Sequence, residues 1–179
     1  MSEVILVTVL GTNPQPACYT LNGRNVEANL ASLALLQLLP EKDIPSQILA
    51  LCTADAKEKS YRILEQSIKD TGVNVRAKCI DLQSELKDVS AFLKAITAAI
   101  PVTDVRGLMI DATHGPRHYA LLAYLTIQYL AALRGIDIRG AYYGLWTPLE
   151  EGPSPFLDLR ALLELPTTTA ENFSKRQGS

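Results

Sequence analysis

The sequence predicts an α/β fold with a mainly parallel central sheet and helices on both of its faces, and three observations support this prediction. Five apolar segments alternate along the 179 residues with segments of helical periodicity. Most of the five are continuous apolar runs rich in β-branched residues, which is typical of strands buried on both faces. Proline or glycine follows the helical segments, so each helix has a place to end before the next strand.

The first part of the chain contains two of these strands. Residues 4–10 (VILVTVL) are predicted to form the first strand. Residues 11–24 are rich in Gly, Pro and Asn and predict a loop, and a small hairpin at the Asn-Gly pair is an alternative within it. Residues 26–39 have a helical pattern that Pro40 ends. Residues 46–53 (SQILALCT) form the second buried strand, so this region is one parallel crossover unit.

An amphipathic helix is predicted over residues 55–72. Asp55 is expected as its N-cap, with Glu58 at the third helical position and Gly72 at its end. The alternating residues 73–81 predict the third strand. The remaining elements are a helix over 85–100 stopped by Pro101, a strand over 105–113, a helix over 116–134 and a strand over 136–146.

Residues 1–165 are therefore expected to form one domain, and the polar residues 166–179 a tail or linker. The apolar residues 119–133 are too few, and too interrupted by polar side chains, for a membrane span. A helix that is apolar on nearly every side is usually buried on more than one face, so this helix could also meet a partner subunit.

Composition excludes several classes of protein. The formal charge of −2 predicts no bulk attraction to long nucleic acids or to anionic membranes. The three cysteines are far apart and form no CxxC pair, which argues against a disulfide framework or a zinc ribbon. No basic, apolar leader precedes the first strand, and a reduced cytoplasmic protein is the simplest interpretation.

The segment LMIDATHGPRHYALLAY contains both histidines of the chain at a strand-to-helix turn. Thr113 and His114 lie at the carboxyl end of a strand, where open parallel sheets bind ligands. Gly115 permits a tight turn, and Pro116 suits the first helical position. Arg117 offers a planar set of donors beside the free N–H groups of the helix start. Together these residues predict a phosphate or sugar–phosphate site.

Other interpretations of this turn stay open. Asp111 could simply accept backbone N–H groups and fix the loop, and His118 could pack against the protein or contact ligand. His114 is expected to project into the crevice. A zinc pair of His114 and His118 has suitable spacing, but Pro116 places the helix start between them and no further ligand stands nearby. No metal and no cofactor are therefore expected.

A second loop follows the first strand at the same sheet edge. Gly11, Thr12 and Asn13 supply backbone and side-chain donors there. The GxxxxGK[ST] and GxGxxG patterns are absent, which argues against a P-loop or a dinucleotide site. Tyr19 could stack on a base or pack on the protein, and Thr53 could donate to a ligand or begin a helix.

Taken in order, the segments LVTVLGT, LALCTADA, GLMIDATHGPRHYALLAYLTIQYLAALRG, GAYYG and FLDL resemble the CRISPR-associated Rossmann-fold (CARF) domains. The resemblance is to the subgroup with a D-x-T-H-G-x-R signature and covers about residues 3–163. DATHGPRH is its most specific part, although Pro116 stands where an aromatic residue is typical. The resemblance implies a Rossmann-like fold and a two-fold dimer.

The resemblance also implies a ligand, namely a cyclic oligoadenylate bound across the dimer axis. Cyclic tetra-adenylate is favoured, and cyclic hexa-adenylate is the alternative. A metal-independent ring nuclease would cleave it by in-line attack of a ribose 2′-OH, leaving a 2′,3′-cyclic phosphate. Thr12, Thr113, His114 and Arg117 are then the candidate catalytic residues. The residues expected to bind the ligand are Gly11, Thr12, Asn13, Tyr19, Thr53, Thr113, His114, Gly115, Pro116 and Arg117.

Two alternatives remain. One is a non-catalytic sensor, either free-standing or severed from an effector such as a HEPN ribonuclease, whose R-x₄₋₆-H motif does not follow here because no histidine occurs after His118. The other is a Rossmann-like or flavodoxin-like binder of small molecules that is unrelated to CRISPR defence.

Overall fold

The computed structural model describes residues 3–83, 85 and 88–160. Within these residues, eight strands form one sheet in the order β3-β2-β8-β7-β6-β1-β4-β5. The strands are β1 (Glu3–Val9), β2 (Ala17–Leu21), β3 (Arg24–Ala28), β4 (Gln47–Cys52), β5 (Arg76–Asp81), β6 (Val105–Asp111), β7 (Asp137–Gly144) and β8 (Pro153–Asp158).

Five of these strands, β7, β6, β1, β4 and β5, run parallel to one another and correspond to the five predicted from the sequence. The β2–β3 hairpin and β8 extend the sheet on one side, with β8 antiparallel to β7 and parallel to β2. The prediction of an α/β fold with a mainly parallel sheet is confirmed.

The helices cover both faces of the sheet. They are α1 (Ala31–Leu38), α2 (Ala54–Ala56), α3 (Arg62–Thr71), α4 (Val89–Ala99) and α5 (Arg117–Arg134), and a π-helical turn over Lys57–Tyr61 joins α2 to α3. Alternate residues of β1 serve opposite cores, because Leu6 packs with α1 and α3 whereas Ile5 and Val7 pack with α4 and α5. The sheet is thus buried on both faces, as its apolar runs predict.

The segment after the first strand differs from the sequence prediction. The helix predicted over 26–39 begins at Ala31, and the residues before it form β3. Within the predicted loop over 11–24, residues Ala17–Leu21 form β2. The alternative of a hairpin at the Asn-Gly pair is the one observed, with Asn22 and Gly23 at positive φ in its turn. β3 is a polar edge strand, so it lacks the apolar run that marks the central strands.

Two helix starts also differ from prediction. Thr53, not Asp55, is the N-cap of α2, because its hydroxyl accepts a hydrogen bond from the amide of Ala56 at 3.4 Å. Pro116 occupies the N-cap position of α5, one residue before the helical position predicted for it. The predicted helix end at Gly72 is confirmed, with φ of 65°.

None of the helices in the described part of the chain has the length and apolarity needed to cross a membrane. The predicted boundary at residue 165 and the tail over 166–179 lie outside the described residues.

Candidate functional site

The turns that follow β1 and β6 touch each other at the carboxyl edge of the sheet. A Cβ on Gly11 would lie 3.1 Å from the amide nitrogen of Gly115. A Cβ on Gly115 would lie 2.5 Å from Cγ1 of Val9, and Gly115 has φ of +82°. Both turns therefore need glycine to approach this closely, and the two loops identified from the sequence share one edge.

Asp111 fixes the turn after β6. Its carboxylate is fully buried and accepts hydrogen bonds from the hydroxyl of Thr8 at 2.8 Å and from the amide of Thr113 at 3.0 Å. The loop-fixing interpretation therefore describes Asp111, and Thr8 adds a bond between β1 and β6 that the sequence did not predict.

Thr113 links this turn to β7. Its hydroxyl oxygen accepts a hydrogen bond from the amide of Gly144 at 2.8 Å. The hydroxyl proton stays available for donation, because a threonine hydroxyl both donates and accepts. Thr113 also lines a cleft beside this turn, so it is placed where a ligand would be met.

The imidazole of His114 points its Nε2 into the protein. Nε2 lies 3.2 Å from the amide nitrogen of Ala31 and 3.0 Å from the hydroxyl oxygen of Tyr19. Burial lowers the pKa of His114, and the nearby Asp111 carboxylate acts in the opposite direction. The ring thus meets the start of α1, and it is not among the groups that line the cleft.

Tyr19 is fully buried, so the packing interpretation describes its ring. The ring stacks on Phe156 at a centroid distance of 5.2 Å and meets the His114 ring edge-on. Burial and the Asp111 carboxylate both raise the pKa of the Tyr19 hydroxyl, which therefore stays protonated. Tyr19 contacts His114, and no face of its ring is open for a base.

The cleft beside this turn has a volume of about 780 Å³. Among the described residues that line it, Arg117 is the one that carries a charge. The full lining consists of Ala112, Thr113, Gly115, Arg117, Ala120, Leu121, Tyr124, Tyr143 and Leu159. No side chain caps the N-terminus of α5, so the amides of Arg117 and His118 have no hydrogen-bond partner within the described residues.

The loop after β1 lies beside the cleft but does not line it. Thr12 and Asn13 are exposed, and Asn13 accepts a hydrogen bond from the side chain of Gln15 at 2.9 Å. The carbonyl of Gly11 accepts a hydrogen bond from the buried hydroxyl of Ser60 at 2.6 Å. Thr53, at the start of α2, acts as the helix-entry residue.

The two histidines face different surroundings. His118 is exposed, with its ring 4.4 Å from that of Tyr119, whereas His114 is bonded to β2 and α1. In residues 3–83, 85 and 88–160, no three His, Cys, Asp or Glu side chains come together as a metal site would require.

A smaller cavity of about 130 Å³ lies on the other side of α5. Its lining includes the carboxylates of Asp81, Glu85 and Asp88, which would repel a phosphate. Of these two cavities, the larger one, which contains Arg117, is therefore the one suited to an anion.

Sequence reasoning missed several contributors to this region. Leu121 and Tyr124 were within reach, because positions i+4 and i+7 from Arg117 share its helix face. Ser60 and the amide of Ala31 carried no sequence signal, since only the folded chain brings the π-helical turn and the start of α1 to these loops.

No family model matches the chain. Over 125 residues it is 25% identical to CRISPR-associated protein MJ1674 of Methanocaldococcus jannaschii, which covers 65% of this chain. The chain spans 19% of the length of that relative. Among solved structures, the protein VC1899 of Vibrio cholerae is similar with a TM-score of 0.48 and 14% identity, over 78% of this chain and 30% of that one.

Proposed function

We propose that this chain is a CRISPR-associated protein that binds a cyclic oligoadenylate at the carboxyl edge of its sheet, across a dimer of two copies, and cleaves it without metal. The similarity to MJ1674 supports the CRISPR association. One observation supports an anionic ligand. Among the described residues that line the cleft, Arg117 is the one that carries a charge.

The chemistry of the cleft favours a phosphodiester. The free amides at the start of α5 and its dipole attract negative charge, and the Arg117 guanidinium supplies a second positive group. Thr113 adds a hydroxyl donor at the same place. The apolar and aromatic part of the lining, including Tyr124 and Tyr143, gives a base a surface to pack on.

An exposed apolar stripe on α5 supports the dimer. Leu121, Leu125, Tyr129 and Leu133 follow one another at intervals of one turn, with exposed fractions of 59%, 48%, 64% and 65%. Leu121 also lines the cleft, so the stripe is continuous with it. A second copy seated on this stripe by two-fold symmetry would set two clefts side by side, which suits a ligand of repeated adenylates. Tetra-adenylate is the favoured ring and hexa-adenylate the other candidate.

In the proposed cleavage the 2′-oxygen of one ribose attacks the adjacent phosphorus. The bond from phosphorus to the 5′-oxygen breaks, the 2′-hydroxyl proton passes to solvent and the leaving oxygen takes up a proton. The products are a 2′,3′-cyclic phosphate and a 5′-hydroxyl. Thr113 in the cleft and His114 beside it would hold the reacting ribose and phosphate, while Arg117 in the cleft and Thr12 on the adjacent loop would stabilise the charge that develops.

The test is incubation of protein in excess with cyclic tetra-adenylate and, separately, cyclic hexa-adenylate in EDTA, followed by chromatography of the products. Linear fragments ending in a 2′,3′-cyclic phosphate, and their loss in Arg117→Ala, are expected. A ring that stays intact but bound removes the nuclease part, and a ring that does not bind removes the proposal.

A second candidate is a binding module that leaves the ring intact. It is favoured by one observation, namely that no carboxylate, imidazole or lysine is among the described residues lining the cleft, so none is placed there for proton transfer. Tight binding without products would identify this function. Binding of a mononucleotide in place of any ring would indicate the unrelated small-molecule binder.

A further inference from the structure

His114 contacts two hydrogen-bond donors through one ring nitrogen. The amide of Ala31 can only donate, so Nε2, 3.2 Å away, is an acceptor and carries no proton. The hydroxyl of Tyr19, 3.0 Å from the same atom, must then donate to it as well. In a neutral imidazole the proton is therefore on Nδ1.

The surroundings of the ring oppose the doubly protonated form. The start of α1 carries partial positive charge, and its first turn contains no acidic residue. Tyr19, on β2, stays neutral because burial raises the pKa of its hydroxyl. The Asp111 carboxylate, on β6, favours imidazolium, but its oxygens already accept hydrogen bonds from Thr8 and Thr113.

We infer that His114 acts as a neutral hydrogen-bond donor through Nδ1, and that Tyr19 and the first amide of α1 are the groups that position it. This inference rests on the proposed function for the identity of the acceptor, a phosphate or ribose oxygen of the ring. His114 is then not a general base, because its basic nitrogen, Nε2, already accepts hydrogen bonds from Ala31 and Tyr19. It is not a general acid either, because a neutral imidazole gives up its Nδ1 proton only with great difficulty. Tyr19 is a positioning residue that acts through His114.

The placement of the His114 side chain agrees with this role. Nδ1 is two bonds from Cβ, and a Cβ built on Gly11 would lie 4.0 Å from Cβ of His114. The Cβ of His114 therefore lies at the contact of the two glycine turns, and Nδ1 is nearer to that Cβ along the ring than Nε2, which reaches Tyr19 and Ala31. Because Nε2 is occupied by Tyr19 and Ala31, Nδ1 is the ring nitrogen left to donate to a ligand seated against the turns.

The first experiment needs no ligand. Long-range ¹H–¹⁵N spectra of ¹⁵N-histidine-labelled protein report the tautomer of each of the two histidines, and loss of one signal in His118→Gln assigns the other. A protonated Nδ1 and an unprotonated Nε2 in His114 are expected at neutral pH. In Tyr19→Phe, which removes one donor to Nε2, the pKa of His114 should rise toward its usual value. A proton on Nε2, or a Tyr19→Phe variant whose His114 titrates as in the parent, overturns the inference.

The second experiment compares two substitutions that each keep half of the imidazole. Asn places an amide N–H near the position of Nδ1, and Gln places a carbonyl oxygen near the position of Nε2. His114→Gln should therefore retain stability but bind cyclic tetra-adenylate about ten- to a hundredfold more weakly. His114→Asn should lose stability but bind more tightly than His114→Gln. The reverse order of affinities overturns the inference. A parent protein that binds no ring defeats the proposed function alone, because the tautomer is measured without ligand.

Discussion

Gly11 and Gly115 lie so close that a Cβ on Gly11 would be 3.1 Å from the amide nitrogen of Gly115, although one follows β1 and the other follows β6. A Cβ on Gly115 would lie 2.5 Å from the Val9 side chain, and its φ of +82° is unfavourable for any other residue. This contact sets the distance between the two loops of the candidate site.

Gly115→Ala should lower the free energy of unfolding by about 2–5 kcal/mol, since the strain of positive φ adds to the overpacking. Gly135→Ala is the matched control, because Gly135 also has positive φ, of 63°, but a Cβ there would meet nothing within 4 Å. The control should lose only about 1–2 kcal/mol in urea denaturation. Equal losses would show that the contact with Val9 carries no energy.

Thr8→Val tests the buried bond to Asp111. The substitution keeps the shape but removes the donor that lies 2.8 Å from a fully buried carboxylate, so we expect a loss of about 1–3 kcal/mol. Thr126→Val is the control, because Thr126 is equally buried but donates to Leu122 of its own helix. If both variants lose the same free energy of unfolding in urea denaturation, the hydrogen bond to Asp111 stabilises the fold no more than the bond within the helix does.

Stability should depend on pH through His114. Its folded pKa is lower than its unfolded value of about 6.5, so the neutral form stabilises the fold fully above that value. As pH falls below about 6.5, the unfolded chain binds a proton that the folded chain resists, and the free energy of unfolding should decrease. His114→Gln should remove this part of the decrease, as measured by urea denaturation between about pH 7.5 and pH 5. An unchanged profile in His114→Gln, with a flattened one in His118→Gln, would contradict the assignment.

Tyr129→Glu and Leu125→Asp should convert a dimer into monomers without unfolding the chain. Both side chains are about half exposed or more in the single chain, so a charge there is hydrated until a second copy covers it. Val102→Asp, at 79% exposure and outside α5, serves as the control. Sedimentation equilibrium gives the oligomeric state and circular dichroism the fold. A parent that sediments as a monomer would contradict the dimer.

The central strands could be predicted because they are buried on both faces and leave continuous apolar runs. β8 could not, since Pro153 and Pro155 lack the N–H groups that a strand normally donates, and proline argues against a strand interior. β3 could not, since it is a polar edge strand next to a hairpin.

The position of the candidate site could be predicted from the sequence, but the direction of one of its side chains could not. DATHGPRH indicated a turn at the carboxyl edge, and Gly115 and Arg117 lie there. The direction of the His114 ring was not predictable, because it depends on Tyr19 of β2 and on the amide of Ala31 at the start of α1.

The position of β8 between β7 and β2 has a consequence for the order of assembly. Within the sheet, the hairpin that carries Tyr19 is joined to the parallel strands only through β8. A ribosome makes the hairpin early, yet the hairpin cannot enter the sheet until Pro153–Asp158 has emerged. A nascent chain halted before Pro153 would contain the five parallel strands, but the hairpin with Tyr19 would lack the strand that joins it to them.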